Sequence, residues 1–204
     1  MKYNPKIHNR KSIRLKGYDY AKAGLYFVTI CCKNREHMYG YVENGKMILN
    51  ESGLMVEKWY YELENKFLDI RCDEMIIMPN HFHCIFENVG ADLRVCPNKQ
   101  PILNKQPILN KQPILNKQPI LGEHIGSPLH RVVQWFKTMS TNEYIRGVKT
   151  KQWKRFDGKL WQRNYWEHII RNEKSYRTIS NYIRNNPYNW GNDSFNSTRK
   201  NQKR

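Results

Sequence analysis

Apolar positions along the chain change their period several times, and each change predicts a new element. LYFVTICCK (Leu25–Lys33) is a nearly unbroken run of β-branched and aromatic residues, which predicts a central strand. The Asn44-Gly45 pair is a turn signal, and KMILN (Lys46–Asn50) after it predicts a short second strand. ESGLMVEKWYYELENKF then places Met55, Trp59, Leu63 and Phe67 four residues apart, the spacing of an amphipathic helix. DEMIIM and HFHCIFENV read as two further strands joined by Pro79-Asn80. In SPLHRVVQWFKTMSTNEYIRGV, Ser127 is the expected N-cap and Pro128 the first helical residue. Leu129, Val132, Val133 and Phe136 follow at helical spacing and predict a buried stripe. LWQRNYWEHIIR (Leu160–Arg171) is compact and aromatic, and a last helix runs from about Glu173 to Asn186, stopped by Pro187.

This order of elements, joined by short links, predicts an α+β fold: an antiparallel sheet with the helices packed on one face. One segment does not fit the pattern. NKQPIL recurs four times without a mismatch from Asn98 to Leu121. Four six-residue units are too few to stack a solenoid core, and each proline removes a ladder donor. The repeat reads as a linker-like insertion into a single domain formed by residues 1–97 and 122–190, with 191–204 as a basic, disordered tail.

Composition adds a partner. Lys and Arg number 35 against 18 Asp and Glu, a net charge of +17, which favours a polyanion such as nucleic acid. Lys11, Arg14, Lys16, Lys137, Arg163 and Arg171 are candidate phosphate contacts, each weighed against a plain solvated face. Trp161, Tyr165 and Trp166 could stack unpaired bases, although core packing is expected for at least two of them. His168 is expected either to donate to a phosphate or to pack on a helix preceding the last one. The five cysteines form no C-x-x-C pair, no run approaches a membrane span, and no signal-peptide core is present. These features predict a soluble cytoplasmic protein with reduced thiols and no membrane partner.

Candidate chemistry lies in MPNHFHCIF (Met78–Phe86). Residues two apart on a strand share a face, so His81 and His83 project together while Phe82 points the other way. Two imidazoles can share a divalent cation but do not complete its shell, and two ordinary packed histidines give the same pattern. A further donor can come from the last helix. Tyr176, Ile179 and Ile183 define its buried stripe, and Tyr182 and Asn186, four apart, lie along the flank. From there an Asn186 oxygen could complete a metal shell and Tyr182 could attack a bound phosphate. Packing remains the ordinary reading of any one tyrosine among thirteen.

The pieces together resemble a known family. MPNHFHCIF is similar to the HUH motif (His, bulky hydrophobic, His) of single-strand DNA nucleases and transposases. LWQRNYWEHIIRNEKSYRTISNYIRNNP resembles the C-terminal block of REP-associated tyrosine transposases, single-tyrosine relatives of bacterial insertion-sequence transposases. RKSIRLKGYDYAKAGLYFVTICCKNRE and VVQWFKTMSTNEYIRGV are similar to the same family, so the resemblance spans roughly residues 8 to 190 apart from the repeat.

The resemblance implies a ferredoxin-like α+β fold and an enzyme that cleaves and rejoins single-stranded DNA near short hairpins, in DNA transposition or recombination. It matches His81 and His83 to the paired metal ligands, Tyr182 to the nucleophile and Asn186 to the polar ligand four residues on, where some relatives carry Gln. The N-terminal basic segment matches a region that contacts the hairpin base, whereas the repeat stands where relatives have a short loop. The implied cofactor is a divalent metal, Mg²⁺ or Mn²⁺, and the 5′-phosphotyrosine intermediate needs no nucleotide cofactor because it conserves the phosphodiester energy. The family includes monomers and homodimers. The rival reading is a non-catalytic, domesticated binder of structured DNA or RNA; pure binding would require none of His81, His83 and Tyr182. A larger replication-initiator or relaxase type of HUH enzyme is a second rival, but the chain has no helicase P-loop.

Overall fold

The computed structural model describes residues 17–90 and 127–196. Lys11, Arg14, Lys16, the NKQPIL segment and the last part of the expected tail, 197–204, lie outside the described residues. Strand β1 (Gly24–Cys31) is followed by a β2–β3 hairpin (Gly40–Glu43, Lys46–Leu49) and helix α1 (Glu51–Lys66). Strands β4 (Ile70–Met78) and β5 (His81–Asn88) come next, then α2 (Leu129–Thr150), β6 (Trp166–Ile170) and α3 (Glu173–Asn185).

The main sheet has the order β4-β5-β1-β6, and every neighbouring pair in it is antiparallel. β1 and β4 are therefore parallel and joined through α1, and β5 and β6 are parallel and joined through α2. That is the split βαβ arrangement of a ferredoxin-like α+β fold. The β2–β3 hairpin turns at Asn44-Gly45, both at positive φ (50° and 72°), as a tight turn between twisted strands requires.

Alternation along the strands divides two cores. Tyr26, Val28 and Ile30 of β1 and Phe82, Cys84 and Phe86 of β5 point to one face, where they pack with α1 and α2. Phe27 and Ile85 point to the other face and form a smaller core with Ile170 and with Ile183 of α3. The α+β class and the antiparallel sheet are as expected from sequence, but the helices do not all share one face. α3 covers the face opposite α1 and α2, because both the odd and even positions of β1 and β5 are apolar enough to bury. That placement decides the site, since His81 and His83 fall on the α3 face.

Local differences from the sequence reading have simple causes. In α1 the buried apolar side chains are Met55, Val56, Tyr60 and Leu63, while Trp59 and the C-cap residue Phe67 are only partly covered. A four-residue spacing drifts by about 40° per step on a helix with ~100° per residue, so its ends leave the core face. Ser127 does not cap α2; the cap is Pro128, and the Ser127 hydroxyl bonds Asp69 Oδ1 at 2.8 Å. His168 lies on an edge strand, β6, rather than on a helix. WEHII is too short to show a period, and it has no turn signal on either side. Among the described residues, no helix is long and apolar enough to cross a membrane.

Candidate active site

The β4–β5 turn explains the Pro-Asn before the histidines. Pro79 O accepts from Met38 N and Tyr39 N, and Asn80 O accepts from Cys32 N, so the turn is tied to the chain leaving β1. The Asn80 side chain donates through Nδ2 to Arg35 O (3.0 Å) and Phe195 O (2.8 Å), which fixes its oxygen toward His81 Nδ1, 2.9 Å away. An amide oxygen only accepts, so His81 carries its proton on Nδ1 and presents a bare lone pair at Nε2. His83 Nδ1 is held by Thr29 Oγ1 at 2.7 Å, and its Nε2 meets the Tyr182 hydroxyl at 3.2 Å. The two imidazoles stand edge to face with ring centroids 4.5 Å apart. Each ring is thus oriented through Nδ1 by a neighbour, the arrangement that orients metal-binding histidines.

Both rings are buried, and burial holds both neutral. It pulls the His81 pKa down to about 3, with the Arg35 charge adding to the effect, and pushes His83 well below the ordinary histidine range. Among the described residues, His81 Nε2 and Asn186 Oδ1 meet no hydrogen-bond partner in geometry, and the Asn186 side chain lies beside His81 and Tyr182. Asp193 Oδ2 stands 3.9 Å from His81 Nε2. Three acceptor atoms, His81 Nε2, Asn186 Oδ1 and Asp193 Oδ2, therefore lie in one neighbourhood. A cation would satisfy such a cluster.

Among the described residues, no three His, Cys, Asp or Glu side chains gather into a metal cage, so a cation here would need the Asn186 amide as its third protein donor. The unpartnered Asn186 oxygen and the bare His81 nitrogen fit that role. Two imidazoles, an amide oxygen and open positions suit a catalytic divalent ion that binds phosphate oxygen, and not a closed structural zinc site.

Tyr182 projects from α3 with its ring against His83 (centroids 5.1 Å) and Phe27 (6.2 Å, perpendicular). Burial raises its pKa, with Asp193 adding to the rise and Asn186 opposing it. The phenol is therefore protonated at neutral pH and half exposed, open to a substrate from one side.

The structure brings His81, His83, Tyr182 and Asn186 together, and of the proposed phosphate contacts it describes Lys137, Arg163 and Arg171. Arg163 and Arg171 are exposed. Lys137 donates to the carbonyls of Gln162 (3.0 Å), Arg163 (3.4 Å) and Asn164 (3.2 Å) and lies over Tyr165, which makes it a fastening for that loop. Burial draws its pKa down to about 8, with the nearby Cys31 opposing the shift. Trp161 and Tyr165 belong to the main core and Trp166 is exposed, as core packing for two of the three anticipated.

Sequence reading missed Thr29, Asn80, Asp193 and Phe195. Residues 191–196, assigned to the tail, fold over the histidines, with Phe195 4.7 Å from His81 between ring centroids and Arg35 lying over the Phe195 ring. Asn80 stands inside the motif and was legible as a neighbour. Nothing in GNDSFN distinguishes Asp193 or Phe195 from a solvated tail.

No family model matches the chain. An uncharacterized protein of Haemophilus influenzae is 40% identical over 192 residues, covering 94% of this chain and 96% of that one. Among solved structures, a REP-associated tyrosine transposase bound to a REP hairpin is similar with a TM-score of 0.52 and 17% identity, over 89% of this chain and 75% of the other. The protein therefore belongs to one family with the Haemophilus influenzae protein, and its domain has the fold of a REP-associated tyrosine transposase.

Proposed function

We propose that the protein is a transposase-type enzyme that cuts and rejoins single-stranded DNA beside hairpins, with Tyr182 as nucleophile. The observation that carries this reading is the Tyr182 hydroxyl at 3.2 Å from His83 Nε2, beside the unpartnered His81 Nε2 and Asn186 Oδ1. A nucleophile and a set of cation-seeking acceptors share one place. A domesticated binder would need neither. The hairpin in the similar solved structure and the net charge of +17 support a structured polyanionic DNA substrate.

His81, His83 and Asn186 would hold Mg²⁺ or Mn²⁺. When bound, the ion supplies Lewis acidity toward the scissile phosphate. Tyr182 Oη attacks phosphorus, the new O–P bond forms in line, and the bond to O3′ breaks. The phenol proton passes, in net, to the departing 3′-hydroxyl, leaving a 5′-phosphotyrosine. Attack on that link by a 3′-hydroxyl reverses the step and rejoins the strand, so no nucleotide is consumed. Thr29 and Asn80 hold the imidazoles in place throughout, and burial keeps them unprotonated and able to bind a cation. The test is incubation with hairpin-bearing single strands taken from the flanks of the protein's own gene, with Mn²⁺. A covalent protein–DNA adduct on a denaturing gel is expected; its absence across such strands sinks the reading.

A further inference from the structure

A second feature of the α3 face lies beyond the nucleophile. β1 pairs Thr29 with His83 on one side and with Trp166 on the other. His83, Thr29 and Trp166 thus form one row across the sheet and share a face, with Trp166 about two strand spacings, roughly 10 Å, from the site. Trp166 is 59% exposed and sits on the edge strand β6. Among the described residues it makes no ring contact, unlike the buried Trp161.

Trp166 instead walls a cleft of about 490 Å³ between β6 and α3. Phe27 also lines it, with Thr178 and Ile179 of α3 on the far side. Ser175, Thr178, Ile179 and Tyr182 stand at i, i+3, i+4 and i+7, so the helix face that lines the cleft continues directly to the nucleophile. Phe27 connects the two places. Its ring stacks on His83 (centroids 5.5 Å), meets Tyr182 edge-on and lines the cleft.

The cleft combines an open indole face and an apolar floor with hydrogen-bonding groups at its rim, from His168, Asn172 and Thr178. Lys174 supplies a positive charge there, and among the described residues no carboxylate lines the space. A flat, apolar-faced, polar-edged ligand attached to an anion fits this combination.

We infer that the cleft holds an unpaired base of the substrate strand, stacked on Trp166, next to the phosphate presented to Tyr182. This inference rests on the proposed single-strand chemistry and adds a specificity-determining position to it. Stacking on an aromatic ring is tolerant of sequence, and selectivity among bases comes from edge contacts such as those of His168 and Asn172.

The test uses the full chain and a hairpin-bearing single strand, with one abasic residue moved stepwise through the unpaired tail and affinity read by fluorescence anisotropy. For the wild type, one abasic position beside the scissile phosphate weakens binding about tenfold, within what stacking one base contributes. Trp166→Ala binds the intact strand about tenfold more weakly and is indifferent to that abasic position, whereas Trp166→Phe keeps most of the affinity. Thr178→Trp, which fills the cleft from the helix side, reproduces the Trp166→Ala result with Trp166 in place. Uniform tolerance of abasic residues by the wild type, or full sensitivity retained in Trp166→Ala, overturns the inference. Failure to form a covalent adduct would instead sink the cleavage reading, because the abasic scan measures binding and needs no cleavage.

Discussion

The Tyr182 hydroxyl and His83 Nε2 lie 3.2 Å apart although they stand 99 positions apart in the sequence. The contact depends on how α3 docks: Ile183, with Tyr176 and Ile179 beside it, packs on Phe27, Ile85 and Ile170. A slip of one helical turn, about 5.4 Å, would carry the phenol off the imidazole. The small second core therefore sets the geometry of the proposed active site as well as contributing to stability.

Tyr182→Phe should abolish the covalent adduct with hairpin DNA and Mn²⁺ while leaving the fold intact. The change removes one partly buried hydrogen bond, so unfolding free energy should shift by less than about 1 kcal/mol. Affinity for the strand should stay near wild type. Tyr176→Phe and Tyr188→Phe should keep the adduct, and an adduct retained by Tyr182→Phe would assign the nucleophile elsewhere.

Lys137 and Arg163 should separate stability from binding. Lys137→Met releases three carbonyls that its ammonium fastens, and should cost on the order of 1–2 kcal/mol of stability with little effect on DNA affinity. Exposed Arg163→Ala should do the reverse if it meets a phosphate, weakening binding and reducing the salt slope by about one. Thermal melts and salt-dependent titrations measure the two effects; a melting temperature unchanged in Lys137→Met would show that the clamp carries no stability.

What the sequence revealed and what it concealed differ by range. Strong periods placed β1, β5 and the Leu129-Val132-Val133-Phe136 stripe of α2, and the alternation in HFH placed both histidines on one face. β6 was concealed because five edge-strand residues show no period, and with it went the face on which α3 packs. Tyr182 and Asn186 were readable as helix neighbours, but the meeting of Tyr182 with His83 and of Asn186 with His81 is a tertiary fact that β6 and the second core create. Asp193 and Phe195 stand over the site through a chain reversal after α3 that polar, unpatterned residues do not announce.

Deleting 98–121 should leave the domain folded. Both ends of the surrounding segment are pinned: Asn88 Nδ2 donates to Ser127 O at 3.1 Å, and Ser127 is held by Asp69. Removing 24 of the 36 residues from 91 to 126 leaves 12 to close the link. Loop-closure entropy changes as the logarithm of length, so a threefold shortening shifts stability by only about 1 kcal/mol. A fall in melting temperature well beyond that would show that the repeat packs on the domain.

The buried histidines should make the metal-free protein acid-sensitive. Folded His81 takes up a proton only near pH 3, and His83 is also held well below its ordinary value, whereas the unfolded chain protonates both near pH 6.5. Below pH 6.5 the unfolded state binds more protons, so stability is full above that value and is lost as pH falls toward the folded pKa. Between pH 6.5 and 5 His81 should contribute a loss of about 2 kcal/mol, at about 1.4 kcal/mol per pH unit, and His83 a loss in the same direction. Asp193 acts in the opposite sense, because its pKa is raised by burial, and its window begins near the ordinary carboxylate range, below where the histidine effect starts. Melts of chelator-treated protein should show this slope, and His81→Gln and His83→Gln should each flatten it whatever their absolute stability. Mn²⁺ should raise the melting temperature at pH 7 in the wild type, because the cation binds the folded, neutral pair, and raise it far less in either variant. A wild-type profile flat from pH 7 to pH 5 would mean that the imidazoles are not held neutral by burial, and the cation-seeking site would lose its physical basis.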